Sequence, residues 1–382
     1  MADQRLVKRI NRARIMNAIR VYSPVPRSEI ARLLSLDRKS ITNIVSELVS
    51  EGFVVEAGKR KPEKGRPLTL LEFDRRSHLV LGVSLSEAKV TGELLNFYGE
   101  SLALSEAEHA FDGSLPDILE AIRTVYYSVK EAAGGRILGV GFSVPGIIDL
   151  GSGLVERSVN MSALEGVNIR SAVSDFVAEP LFLEEGSRAK ALAEKWFGIG
   201  RESRTFVCVD LGIGIGAGIV LDGRLYADGM TFVGEIGHTI VERGGRACRC
   251  GHRGCLEAYL SDAVLLAEIN EAVAGDYSGL DEVDEVPQPA ERVLRDAGRR
   301  LGFALSYLVN IICPPLLVLN GGLMRFQDLV MPEVFAGIEE GALGGCLERT
   351  RIVASELKNS AALGAGARAL SEHFEVEGHF YV

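Results

Sequence analysis

The sequence predicts an α/β body of two related lobes behind a small helical head that ends in a basic hairpin. Three observations lead there. Charge is divided along the chain: residues 1–67 hold 15 Lys and Arg against 7 Asp and Glu, while the rest of the 382 residues carry 27 against 45, so a head of +8 precedes a body of −18. Apolar positions in the head recur at helical spacing and then give way to two short extended runs. From residue 79 strands of buried type alternate with helical segments, and a similar strand–turn–strand set begins again at residue 205. The boundaries expected from these shifts are 1–75 for the head, 76–190 for a first lobe completed by a C-terminal helix at 361–374, and 191–360 for a second lobe.

In the head, Ile10, Ala13, Met16 and Ile19 share one face of a helix over 9–21, after which Pro24 and Pro26 break the chain. Ser28 can cap a second helix over 29–34, Ser35 and Leu36 lie in a tight turn, and Asp37 can cap a third. Ile41, Ile44, Val45, Leu48 and Val49 form the third helix's apolar face, and Gly52 stops it. Its first turns expose Arg38, Lys39, Ser40, Thr42 and Asn43, side chains suited to phosphates and base edges in a major groove. Residues 53–56 and 68–73 read as a strand pair, joined by a turn that carries Lys59, Arg60, Lys61, Lys64 and Arg66 against the single acid Glu63. Helix, helix-turn-helix and basic hairpin in that order describe a winged helix-turn-helix, whose cations can lie along a phosphate backbone or dip Arg66 into a minor groove. The blander alternatives are a solvated basic tail and a helical protein-interaction domain; folded periodicity speaks against the first and the basic wing against the second.

The body is that of a globular chain, with 47% hydrophobic and 25% charged residues overall. No apolar run reaches the length of a membrane span, and residues 1–20 lack the apolar core of a secretory signal, so no membrane insertion and a cytoplasmic location are expected. Strands are expected at 79–85, 89–96, 101–109 and 137–144, with a helix at 115–132; the second set has strands at 206–210 and 217–221 around a glycine-rich turn. Long helices are expected at 289–309 and 361–374. The alternate glycines of 210–218 let backbone approach a phosphate or ligand, and equally allow a tight hairpin in a core; the turn alone does not decide.

Three of the six cysteines, Cys248, Cys250 and Cys255, fall within eight residues, shortly after Glu235-Ile236-Gly237-His238. Three Cys and one His make the four ligands of a closed tetrahedral zinc site, with no open position for water, so one structural Zn2+ per chain is expected. It would hold in place the segment that carries Glu235 and Glu257. His252, inside the loop, is a competing ligand, and reduced unliganded thiols are the alternative.

These motifs, with the glycine-rich turn, resemble the ROK family (repressors, open reading frames and kinases), from about residue 79 to about residue 370. The resemblance implies a two-lobed, actin-like ATPase fold of ribonuclease H-like type, assembled as a homodimer or homotetramer. The fused winged helix resembles the family's repressor branch, which responds to sugars or sugar phosphates. By family position the sugar contacts are Glu235, His238 and Glu257, with Asn160 after the Pro-Gly strand. His238, Cys248, Cys250 and Cys255 match the zinc motif.

Two departures from the kinase pattern matter. Where family kinases place an Asn-Asp pair, whose Asp is the base for the sugar hydroxyl, this chain has Glu185-Gly186; glycine cannot take a proton, and Glu185 is displaced by one residue. Glu185 can still accept a sugar hydrogen bond. Where kinases have Asp-x-Gly-Gly-Thr-Lys, this chain has Ser84-Leu85-Ser86-Glu87-Ala88-Lys89, losing one carboxylate and gaining another in the path of a phosphate. The expectation is a non-enzymatic repressor of carbohydrate-metabolism genes that binds a palindromic operator and answers to a sugar or sugar derivative. The alternatives are an active sugar kinase with a DNA-binding head, and a regulator controlled by a protein partner.

Overall fold

A computed structural model describes residues 4–61, 66–110, 113–226, 231–283, 286–376 and 379–380. Lys64, expected at the wing tip, lies outside the described residues.

The head opens with α1 (Gln4–Tyr22), which starts earlier than its apolar periodicity and buries Ala13, Ile15, Met16, Ala18 and Ile19. The prolines do more than break the chain: β1 (Val25–Pro26) pairs antiparallel with Leu70 and Leu71. α2 (Arg27–Leu34) begins directly after Pro26, so Ser28 lies inside its first turn and is not its cap. α3 (Arg38–Ser50) is capped as expected, with Asp37 Oδ1 accepting the Ser40 amide at 2.9 Å. Ile41, Ile44, Val45 and Leu48 are buried under α3, but Val49 is 37% exposed, one step of about 100° past Leu48 and outside the apolar stripe. The wing strands are β2 (Val54–Arg60) and β3 (Leu68–Phe73), with a bulge between Glu56 and Lys59. The first runs past residue 56 into its charged end, where backbone pairing rather than hydrophobicity continues the ladder.

The first lobe follows as β4 (His78–Leu85), β5 (Lys89–Leu95), β6 (Ser101–Glu108), α4 (Leu115–Ala132) and β7 (Arg136–Val144). A small hairpin, β8 (Ile147–Asp149) and β9 (Leu154–Arg157), and the short α5 (Ile169–Val173) lead to β10 (Leu181–Glu185). α6 (Gly186–Trp196) then crosses to the second lobe: β11 (Phe206–Leu211), β12 (Ile215–Leu221), β13 (Arg224–Leu225), α7 (Glu257–Leu260), α8 (Asp262–Val273) and α9 (Gln288–Ile312). Next come β14 (Leu316–Gly321), α10 (Gln327–Gly341), α11 (Gly344–Leu347), β15 (Arg351–Ala354) and α12 (Ser360–Phe374). Because β12 already starts at Ile215, the glycine-rich turn shrinks to 212–214 and its later glycines are strand residues.

The suspected repeat is present in the sheet order. The first sheet runs β10-β7-β4-β5-β6 and the second β13-β12-β11-β14-β15. In each, the opening strand pairs antiparallel with the next on one side and parallel with a later strand on the other.

Alternation along β4 sends Leu79, Leu81 and Val83 into one core with α4, and Val80 into another with α12. α12 lies unusually close to this sheet. A Cβ on Gly82 would sit 1.9 Å from the Ala362 carbonyl oxygen, and one on Gly141 would sit 1.8 Å from that of Ala365. Only glycine permits this contact.

The head does not stand apart. Its core, including Ile15, Met16, Val45 and Phe73, is continuous with Phe97, Trp196, Leu370 and Phe374 of the body. Phe374 packs edge-on against Phe73, Phe97 and Trp196. Asn17 of α1 donates to the Phe374 carbonyl at 3.0 Å in a buried position. Arg20 lays its guanidinium 4.5 Å from the Trp196 ring, and burial there draws its pKa down to about 10. Truncating Phe374 to alanine would cost about 3–5 kcal/mol. Among the described residues no helix is long and apolar enough to cross a membrane.

Candidate ligand cleft, metal centre and DNA face

The strand ends Ser84, Ser143, Glu185 and Asp210 open onto one cavity of about 350 Å3 between the lobes. This is where α/β sheets offer crevices at the carboxyl ends of their strands. Asn160, Glu185, Glu235, His238 and Glu257 all line it. Glu257 Oε2 accepts the Ile215 amide at 3.1 Å, which fixes its carboxylate against the glycine-rich turn. A Cβ on Gly214 would stand 3.1 Å from Asn160 Nδ2 and 3.4 Å from Glu257 Oε2, so the bare glycine keeps the space between them open. Asn160 Oδ1 accepts from Arg249 Nη1 at 3.3 Å, a contact between the first lobe and the cysteine loop of the second.

Glu185 caps α6, its two oxygens accepting the amides of Ser187 at 3.0 Å and Arg188 at 3.1 Å. Each oxygen keeps a second lone pair for the cavity. Burial, with Asp210 and Glu235 adding to it against those amides, lifts this carboxyl to about 7. Gly186, the next residue, has nothing within 4 Å of where a Cβ would be. Ser84 and Glu87 line the same cavity.

Sequence reasoning missed a charged cluster on this floor. Lys190 Nζ lies 2.5 Å from Asp210 Oδ1. Asp262 stands near enough for burial and Asp210, against Lys190, to raise its carboxyl to about 6. Lys190 is one helical turn past Gly186, and that spacing is the signal that could have placed it in the cleft. Asp262 carries no local signal.

The expected metal ligands do converge. One ligand atom each from His238, Cys248, Cys250 and Cys255 lies within 4.8 Å of the others. Cys250 and Cys255 sulfurs are 3.7 Å apart, and Cys248 Sγ is 3.8 Å from His238 Nδ1. Tetrahedral thiolate coordination at about 2.3 Å puts sulfurs about 3.8 Å apart, so the set suits one cation. His252 Nδ1 is 3.5 Å from Cys250 but is not part of the converging group. Protons are shared unequally: burial pushes Cys255 up to about 12, whereas at Cys250 burial is outweighed by the His252 amide and ring and the neighbouring thiols, giving about 6. His238 works on two sides, since its Nε2 faces Glu235 Oε2 at 3.7 Å across the cavity wall.

On the head, Arg38, Lys39, Thr42 and Asn43 are exposed on α3, and Ser40 is half-buried. Thr42 Oγ1 donates to the Arg38 carbonyl at 2.7 Å, leaving acceptor capacity outward. Lys61 and Arg66 are exposed on the wing. Arg60 is turned back onto α2, where it meets Glu29 at 2.8 Å.

The xylose repressor of Caldicellulosiruptor bescii is 29% identical over 97% of this chain and 98% of its own. A solved ROK family transcriptional regulator, a homolog of the E. coli Mlc protein, superposes with a TM-score of 0.79 at 24% identity over 97% of both chains. The ROK hexokinase from Thermus thermophilus superposes with a TM-score of 0.62 at 26% identity, over 77% of this chain and 98% of its own. The ROK family profile matches residues 80–372, and the chain belongs to the ROK family.

Proposed function

We propose that this chain is a DNA-binding transcriptional repressor of carbohydrate-metabolism genes, released or retained by a sugar in the cleft of a non-catalytic, kinase-like body. The observation that carries the reading is one cavity in which Asn160, Glu185, Glu235, His238 and Glu257 surround a bare Gly186. Carboxylates, an amide and an imidazole accept hydrogen bonds from vicinal hydroxyls. Chemistry on those hydroxyls would also need a base, and position 186 offers none.

Arg38, Lys39, Ser40, Thr42 and Asn43 would enter a major groove, with Arg60, Lys61, Lys64 and Arg66 along the backbone. A homodimer or homotetramer would place two heads on a palindromic operator, with half-sites about one helical turn apart. His238, Cys248, Cys250 and Cys255 would hold one Zn2+, which supplies rigidity and no water for catalysis. Bound through Nδ1, His238 would keep Nε2 for a sugar hydroxyl. α12 is the path from cleft to head, because Ala361 lines the cavity and the Phe374 carbonyl takes the Asn17 hydrogen bond. The sugar acts only through different affinity for two arrangements of that helix.

The test is a thermal-shift screen of the full chain against neutral monosaccharides, their phosphates and N-acetylated forms, with and without Mg-ATP, followed by operator binding with any hit. Stabilisation by a sugar, none by Mg-ATP, and a changed operator affinity are expected. Glu235→Ala should abolish the sugar response and leave operator binding intact. Sugar-dependent ATP turnover lost in Glu185→Gln would establish the kinase reading instead. Silence across the panel would turn the reading toward control by a protein partner.

A further inference from the structure

Asn160 lines two cavities. One is the cleft of about 350 Å3 between the lobes; the other, of about 210 Å3, belongs to the first lobe and is lined by residues of the β6–α4 connection, by Ile118 of α4 and by residues 160–163. The two spaces are neighbours along one strip of chain, since residues 157–160 wall the cleft and 160–163 the smaller space. A second tie fixes them together. His109, on the wall of the smaller space, places Nε2 3.0 Å from the carbonyl oxygen of Ser86, which lines the cleft. Its Nδ1 lies 3.0 Å from the Ala110 carbonyl oxygen, so the ring is engaged with backbone on both sides and serves as a wall. Asn160 is held at the junction: Oδ1 accepts from Arg249, while Nδ2 faces Gly214, 3.1 Å from where a Cβ would stand.

Size decides what the smaller space can be. A self-sufficient ligand pocket takes about 300 Å3 or more, so 210 Å3 makes an extension of the cleft rather than a site of its own. Its lining mixes apolar and polar groups in the way a sugar ring needs. Ile118 and Met161 offer apolar contact to C–H faces. The Ser162 hydroxyl is exposed, and Ser114 Oγ, which donates to Asp117 at 2.7 Å, keeps lone pairs for a ligand hydroxyl. Among the described residues no Asp, Glu, Lys or Arg lines this space, so nothing there would pair with a phosphate or a carboxylate. Resting on the sugar reading above, we infer that the smaller space is a second sugar subsite and that the effector is a neutral disaccharide. One ring lies in the cleft and the other beside Met161 and Ser162, with the linkage passing Asn160. A monosaccharide fills the cleft alone and forgoes the contacts of the second ring.

The experiment is titration calorimetry of the full chain with glucose and xylose, and with cellobiose, maltose and xylobiose built from them. At least one disaccharide should bind about tenfold more tightly than its own monosaccharide. Ser162→Trp, at an exposed position, fills the smaller space and should bring that disaccharide down to its monosaccharide's affinity. Ser162→Ala, which removes only a hydroxyl, should lower the gain without threatening the fold. Equal affinities in the parent chain, or a gain that survives Ser162→Trp, would overturn the second subsite and leave the sugar reading standing. A gain of the same size from an N-acetylated monosaccharide would place a substituent there instead of a ring, and would overturn it too. Binding of no sugar at all would strike the sugar reading itself and this inference with it.

Discussion

The two lobes share one strand order and differ in what they bring to the cleft. The second lobe brings Glu235, His238 and Glu257, with Gly214 keeping the space beside Glu257 open. The first brings Asn160 and Glu185 together with Gly186, Ser84 and Glu87, which on the proposed function take the places of a sugar kinase's base and phosphate loop. On the proposed function, the second lobe's wall would recognise hydroxyls and the first lobe's would lack the groups to activate one.

The contrast is most exposed at the cysteine loop, which on the proposed function would hold the second lobe's wall together through a bound Zn2+. Cys250→Ser removes one of four converging ligands and leaves three thiol or imidazole groups crowded without a common cation. Losing a structural metal belongs to the few changes that cost about 4 kcal/mol or more. Denaturant unfolding should show that loss, together with loss of any sugar response. A native midpoint in the metal-free protein would mean the loop is held by Ile215, Glu257 and the surrounding core instead.

Titration of Glu185 is the next largest effect. Its carboxyl stands at about 7, above the ordinary 4.5, so the folded chain holds a proton that the unfolded chain has released. The associated stability is present in full below pH 4.5 and fades as pH rises through about 7. A displacement of that size is worth at most about 3 kcal/mol, and partial access of water trims it. Asp262, raised to about 6, acts in the same direction over a narrower window. Urea melts at about pH 5 and about pH 8 should differ in this sense, and Glu185→Gln should shrink the difference. An unchanged difference would assign the pH dependence to other shifted groups, among them Asp262 and His373.

Gly214→Ala sharpens the contrast from the other side. Its Cβ would press on Asn160 and Glu257 without a forbidden backbone angle, so the fold should survive while sugar affinity falls about tenfold, or about 1.4 kcal/mol. Equal affinity in titration calorimetry would place the sugar away from these two side chains.

Legibility in the sequence followed distance along the chain. Asp37 at the start of α3, the span of α4, and the ligands His238, Cys248, Cys250 and Cys255 are local patterns, and the structure places them as read. Val49 and Ser28 were misplaced because a stripe shifted by one residue, or a cap by two, keeps the same composition. β1 was missed because two residues carry no periodicity. The Arg249–Asn160 contact and the shared core of α1 and α12 join residues far apart in sequence, and no local spacing encodes them.

The smallest effect is expected from restoring what the first lobe lost. Gly186 opens α6, and the space where its Cβ would go is empty. An aspartate there meets no clash and sits at a helix N-terminus, which favours a negative charge by about 0.3–1 kcal/mol. Glu185, Asp210 and Glu235 oppose it with their own charge, so Gly186→Asp should leave stability within about 0.5 kcal/mol of the parent. ATP turnover should also stay at background in a coupled assay with any sugar that binds. Ser84 supplies no carboxylate, and Glu87 keeps a negative charge on the same cavity wall. Were turnover to appear, the first lobe would be one residue from chemistry, and the division between the two walls would be far shallower than their geometry indicates.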